Sequence, residues 1–122
     1  MSDTNELVQR YLAAWNETDA DARRAVLEEV FAEDGVYTDP LVSVRGRDGL
    51  AATIAAVQGQ FDGLVFSFGG AVDAHHDIAR FVWHLGPEGA EPVIVGFDAV
   101  VIGEDGRISR VLGFLDKVPA GA

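Results

Sequence analysis

Cysteine is absent from this chain. That removes disulfides, thiolate catalysis and cysteine-ligated zinc. No apolar run approaches the ~20 residues that a membrane-spanning helix needs, so no membrane partner is expected. Positive charge is scarce: nine Lys and Arg stand against twenty Asp and Glu, a net charge of −11. Such a surface repels phosphate backbones and anionic lipids, so nucleic acid is not an expected partner either. The chain has no Gly-x-Ser-x-Gly elbow, no P-loop and no Gly-x-Gly-x-x-Gly turn. Serine-triad hydrolysis and nucleotide binding therefore lack support. Internal repeats, low-complexity tracts and linkers are missing too. The first residues, Met1 to Glu6, are polar and acidic rather than signal-like, which leads to the expectation of a cytoplasmic location.

What is present is apolar. Hydrophobic residues make up 48% of 122, enough for one domain over 1–122 with one core. The densest stretch runs from Pro92 to Ile102, and Asp98 is its single charge. Alternation cannot put Asp98 in water without also exposing Ile94, Val100 and Ile102. A lone carboxylate among apolar neighbours is costly as an ion and tends to hold its proton. A protonated acid in an apolar pocket is a hydrogen-bond donor, which enzymes use.

The periodicity predicts helices first and strands second, an α+β layout. Asp3 and Glu6 resemble a capping box, and Leu7, Val8, Tyr11, Leu12 and Trp15 follow at helical spacing. A second helix is expected from Asp21 to Phe31, ended by Asp34-Gly35. Val36 to Thr38 reads as a short strand stopped by Asp39-Pro40, with Val42 to Val44 pairing locally. Asp48 is expected to cap a third helix over Gly49 to Gln58. Strands are expected at Leu64–Val72, Ile78–Leu85, Pro92–Ile102 and Ile108–Leu115. Their short connections, Asp73 to Asp77 among them, imply an antiparallel meander. The strand around Asp98 is apolar on both faces. Three helices can cover only one, and an uncovered apolar face suggests a homodimer through the sheet.

Three polar groups interrupt apolar patterns. Tyr11 lies on the inward helical stripe, Asp39 follows a strand at the mouth of the expected core, and Asp98 is buried by context. Two carboxyls in different environments can take opposite roles, Asp39 as base and Asp98 as acid, with Tyr11 a second donor. Taken singly, an inward tyrosine is usually a core residue, and Asp before Pro is usually a turn former. Asp73, His75, His76 and Asp77 form a compact cluster. Adjacent histidines on a strand point to opposite faces, so a polar turn with His76 at a cavity rim is favoured over a metal site. Arg80, His84 and Arg110 fall within strands, where an edge or solvent-facing position is the common explanation.

Over residues 5 to 117 the chain resembles the nuclear transport factor 2-like superfamily, in its SnoaL-like and ketosteroid isomerase-like branch. The resemblance rests on Tyr11-Leu12-Ala13-Ala14-Trp15, on Phe31 to Pro40, on Gly46-Arg47-Asp48-Gly49-Leu50, and on Gly96-Phe97-Asp98 followed by Asp105-Gly106-Arg107-Ile108. It implies a cone: three N-terminal helices packed on a strongly curved mixed or antiparallel sheet, with a pocket at the open end. By resemblance to the isomerases, Asp39 would take a proton α to a carbonyl, while Tyr11 and Asp98 would stabilise the dienolate. Phe31 and Ile54 stand where those isomerases carry supporting tyrosines. The span between Tyr11 and Asp39 is about one helical turn longer than in them, which brings Trp15 towards the pocket instead. Limonene epoxide hydrolases of the same superfamily use an Asp-Arg-Asp set, and no such set is evident here. Tyr37 and Asp39 only loosely overlie their Tyr and Asn.

Three functions follow as expectations. The first is a cofactor-independent isomerase or polyketide cyclase-like enzyme acting on a small hydrophobic, steroid- or polyketide-like carbonyl compound. It needs neither cofactor nor metal and places Tyr11, Asp39 and Asp98 in one pocket. The second is a non-catalytic module binding a small ligand or a protein, with Phe66, Phe68, Phe81, Trp83, Phe97 and Phe114 as core or pocket lining. The third is water activation as in epoxide hydrolases, which requires Arg80 or Arg110 beside Asp98 or Asp39.

Overall fold

In the computed structural model, which describes residues 3–119, the apolar stripe of the N-terminal segment forms helix α1 (Asp3–Asn16). Its buried face carries Val8, Tyr11, Leu12, Ala14 and Trp15. Asp3 and Glu6 both lie in its first turn, so Asp3 is a helical residue rather than the cap expected of it. Helix α2 (Ala20–Val30) is capped by Asp19, whose carboxylate accepts from the Ala22 N–H at 2.8 Å. The cap sits inside the polar stretch that separates the two helices.

The end of α2 departs from expectation. Phe31 already has extended geometry and opens strand β1 (Phe31–Thr38) with no loop between. Asp34-Gly35 is therefore not a helix stop. It lies where the register of β1 against its neighbour shifts between Phe31 and Val36, a bulged stretch. A Cβ on Gly35 would sit 2.7 Å from the Phe31 ring, which explains the glycine.

Strand β2 (Ser43–Arg45) folds back antiparallel on β1, and helix α3 (Gly46–Gln60) follows at once. The helix starts and ends beyond the expected limits. Its N-cap is Arg45, without a side-chain bond, and Asp48 in the first turn instead pairs with Arg24 of α2. The strand expected over Leu64–Val72 is shorter, β3 (Val65–Phe68), and a further strand, β4 (Asp73–His75), forms within the segment expected as a turn. Both pair with opposite ends of β5 (Ile78–Gly86). Asp73 to Asp77 is thus only partly a turn.

Strands β6 (Ile94–Ile102) and β7 (Ile108–Lys117) complete a seven-stranded sheet of order β2-β1-β7-β6-β5-β3, with β4 alongside β5. The neighbours are antiparallel except β1 and β7, which run parallel. The sheet is mixed, curved and not closed. α1 packs on α2 and β3, and α3 packs on α2 and β1. Within β6, Ile94, Gly96, Asp98 and Val100 are buried, while Val95, Phe97, Ala99 and Val101 are half-buried on the opposite face. No helix of the described residues is long and apolar enough to cross a membrane.

Candidate active site

A cavity of about 350 Å³ opens between the inner face of the sheet, α1, α3 and the β1–β2 connection. Leu12 and Trp15 come from α1, Val57, Gln60 and Phe61 from α3 and its end, and Phe66 from β3. Trp83 and Leu85 of β5, Ile94 and Asp98 of β6, and Gly113 and Leu115 of β7 form the sheet side. Tyr37, Asp39 and Leu41 close one flank, and Val118 and Pro119 reach the mouth. The volume is at the lower end of the range for small-molecule pockets, and the wall is apolar with few convergent polar groups, as such pockets require.

Asp39 and Asp98 both line this cavity and meet across Gly113. A Cβ built on Gly113 would lie 3.0 Å from Asp98 Oδ1 and 3.3 Å from Asp39 Cβ. Only a glycine in β7 leaves that space. The two carboxyls have different surroundings. Asp39 is half-buried at the end of β1 and accepts three hydrogen bonds. The Tyr37 hydroxyl donates to Oδ2 at 2.7 Å, and the Leu41 and Val42 N–H groups donate to Oδ1 at 2.8 and 2.9 Å. It therefore shapes the turn before Val42 as well as lining the cavity.

Asp98 is 5% exposed. Its Oδ1 accepts the Trp83 indole N–H at 3.1 Å. Burial lifts its carboxyl from the ordinary value to about 7, the Trp83 bond opposes the rise, and the charge of Asp39 adds to it. Gly96 makes the indole's position possible, since a Cβ there would lie 2.0 Å from the ring. The arrangement offers an acceptor and a proton-bearing acid a short distance apart in an apolar cavity, suited to moving a proton on a small carbon skeleton.

Of the residues anticipated for the pocket, Trp15, Tyr37, Phe66, Trp83 and Phe114 border it with the two aspartates. Phe114 does so from the rim, because its ring pairs with Phe97 on the outer face. Tyr11 does not line the cavity. It is fully buried, and its hydroxyl bonds to neither aspartate. Burial and then the nearby charge of Asp98 hold its phenol well above the ordinary value. The expected three-group pocket is thus a two-carboxyl pocket, with Trp15 one helical turn on taking the place facing it. Phe81 is also displaced: it is core, edge-on to Phe68 at 5.5 Å. His76 is not at the rim. It sits exposed in the β4–β5 turn at φ +52°, at the opposite end of β5 from Trp83 and Leu85.

Arg80 pairs with Asp73 on the surface, and Arg110 is exposed. Neither reaches Asp39 or Asp98, so the arginine-held base of an epoxide hydrolase-like site is not assembled. Among the described residues no group of three His, Asp or Glu is placed to hold a metal ion. Two pairings were missed by sequence reasoning, Tyr37 with Asp39 and Trp83 with Asp98. The first has the two-residue spacing of one strand face. The second was signalled by Gly96, a glycine in the interior of an apolar strand where a ring packs close.

The sequence profile of the SnoaL-like domain matches residues 8–111. A candidate isomerase of the SnoaL-like family from Agrobacterium tumefaciens is 40% identical, covers 91% of this chain and 95% of its own, and superposes with a TM-score of 0.86. A candidate polyketide cyclase from Sinorhizobium meliloti is 23% identical over 88% of this chain and 93% of its own, with a TM-score of 0.70. A candidate SnoaL-like polyketide cyclase from Jannaschia is 18% identical over 95% and 90%, also at 0.70. These last two share the fold. No match emerged among curated proteins.

Proposed function

Because the chain belongs to the SnoaL-like domain family of the NTF2-like superfamily, we propose that it is a cofactor-independent isomerase or cyclase. Its substrate would be a small hydrophobic carbonyl compound, steroid- or polyketide-like. Asp39 removes a proton from the carbon α to the carbonyl and returns it elsewhere. Asp98, in its protonated form, donates a hydrogen bond to the oxygen that becomes negative. The supporting observation is the juxtaposition of the two carboxyls across Gly113 in one apolar cavity. Trp83 supports Asp98 by occupying Oδ1, and Tyr37 supports Asp39 from Oδ2.

The test is solvent deuterium exchange into a β,γ-unsaturated ketone. Asp39→Asn should lower exchange at least ~100-fold with the fold intact, a loss typical of a removed general base. Exchange that persists unchanged in Asp39→Asn sinks the proposal.

A second reading is a binding module without turnover. It is favoured by Asp39's three internal donors, which hold it as a turn former, and by the absence of the Tyr11 hydroxyl from the cavity. It predicts ligand-dependent thermal stabilisation with no exchange at any pH.

A further inference from the structure

The cavity carries charge of one sign. Asp39 and Asp98 line it, and its lining includes no Lys, Arg or His. The buried guanidinium of Arg23 is used elsewhere, on the Glu17 and Thr18 carbonyls and the Gln58 amide oxygen. Two acidic groups thus share an apolar space to which the described residues supply no counter-cation. Asp39 is met by three hydrogen bonds and Asp98 by its proton, and ionising Asp98 there is costly unless something positive meets it.

An aromatic wall runs beside them. Tyr37, Trp15, Phe66 and Trp83 follow one another with ring centroids 5.6, 5.4 and 5.4 Å apart. Successive rings are tilted by 43°, 60° and 60°. All four rings border the cavity. A ring face and a carboxylate both present negative potential, and both attract an organic cation. An anionic ligand is repelled by both.

We infer that the ligand of this cavity is an apolar molecule carrying a protonated amine or quaternary ammonium, held between the aromatic wall and the Asp39–Asp98 pair. The inference rests on the reading of this cavity as the ligand site; with such a ligand Asp98 serves as counter-ion, whereas its donor role belongs to the complex with a neutral ketone.

The groups that face Asp98 electrostatically are Asp39 from the β1–β2 connection, Tyr37 from β1 and Tyr11 from α1. Burial pushes both phenols up, so they stay neutral. A bound cation therefore has only the two aspartates to compensate it, and it favours the ionised form of Asp98. Binding should tighten as pH rises through about 7, where Asp98 loses its proton.

The experiment uses probes of one shape and different charge: adamantylamine, adamantanone and adamantanecarboxylate. The chain has two tryptophans and both line the cavity, so intrinsic fluorescence reads binding directly. The amine should bind about tenfold or more tightly than the ketone, with the carboxylate weakest. Its affinity should rise between about pH 6 and about pH 8, where the amine itself stays protonated. Asp98→Asn should abolish that rise, and the wild-type probe series stands by itself if the variant does not fold. Ketone or carboxylate binding as tightly as the amine overturns the inference while leaving acid–base chemistry on a neutral ketone standing. Failure of all three probes to bind overturns both.

Discussion

Asp98 holds its proton because the chain around it excludes water, and that has a measurable cost. Its folded-state value is about 7 against an ordinary 3.8. The folded protein therefore binds this proton more tightly than the unfolded chain does. The stabilising contribution of the neutral form is fully present below about pH 4 and is lost as pH rises through about 7. Between about pH 5 and about pH 8 the loss amounts to about 3 kcal/mol. Asn at this position carries no such proton. The stability of Asp98→Asn relative to wild type should rise by that amount over the same interval, measured by urea unfolding at both pH values. A flat difference would mean that Asp98 is ionised throughout. The burial of Asp98 was legible because a charge in an alternating apolar strand has only one face to occupy. The place of Tyr11 was not legible. Helical periodicity says that a side chain points inward, but not whether it ends in packed core or in open cavity.

At the scale of elements, β6 is a surface fitted to its neighbours by glycine. Gly96→Ala would drive a methyl into the Trp83 indole and break its bond to Asp98. Overpacking of this kind costs about 1–3 kcal/mol. The variant should melt earlier and change its tryptophan emission. Gly59, within α3, offers the contrast, because a Cβ there meets nothing within 4 Å. Gly59→Ala should stabilise by about 0.5–1 kcal/mol through helix propensity alone. Equal effects of the two substitutions would mean that the space above Gly96 is not tight. Helix and strand types followed well, since α1 carries one apolar stripe at helical spacing and β5, β6 and β7 are short apolar runs bounded by turn residues. The junctions did not. Nothing local distinguishes a helix stop at Asp34-Gly35 from a bulge inside β1, because the parallel partner that sets the bulge, β7, lies far along the chain. The early end of β3 and the appearance of β4 are likewise decided by β5, with which both pair.

For the whole molecule, the outer sheet face is the unassigned surface. Val82, Val95 and Phe97 are half-buried there, and Phe114 is 55% exposed. Arg80, Arg110 and Lys117 lie on the same face by register. We propose that two copies pair through it, the apolar middle against its equivalent. Light scattering should give twice the chain mass, and Phe97→Asp should give the single mass with the fold retained. A monomeric wild type would refute the pairing.

The parallel pairing of β1 with β7 also has a meaning in time. Residues from Leu12 to Pro119 line one cavity, and the Asp39–Asp98 pair is spaced by Gly113 of β7. A nascent chain emerging from the ribosome has its helices early, but it has no binding site until that late strand is released and threads between β1 and β6. Such distant pairing is slow to form. Ligand capture is therefore a late event of synthesis, and truncation between Asp98 and β7 yields a chain with both aspartates and no place for them to meet.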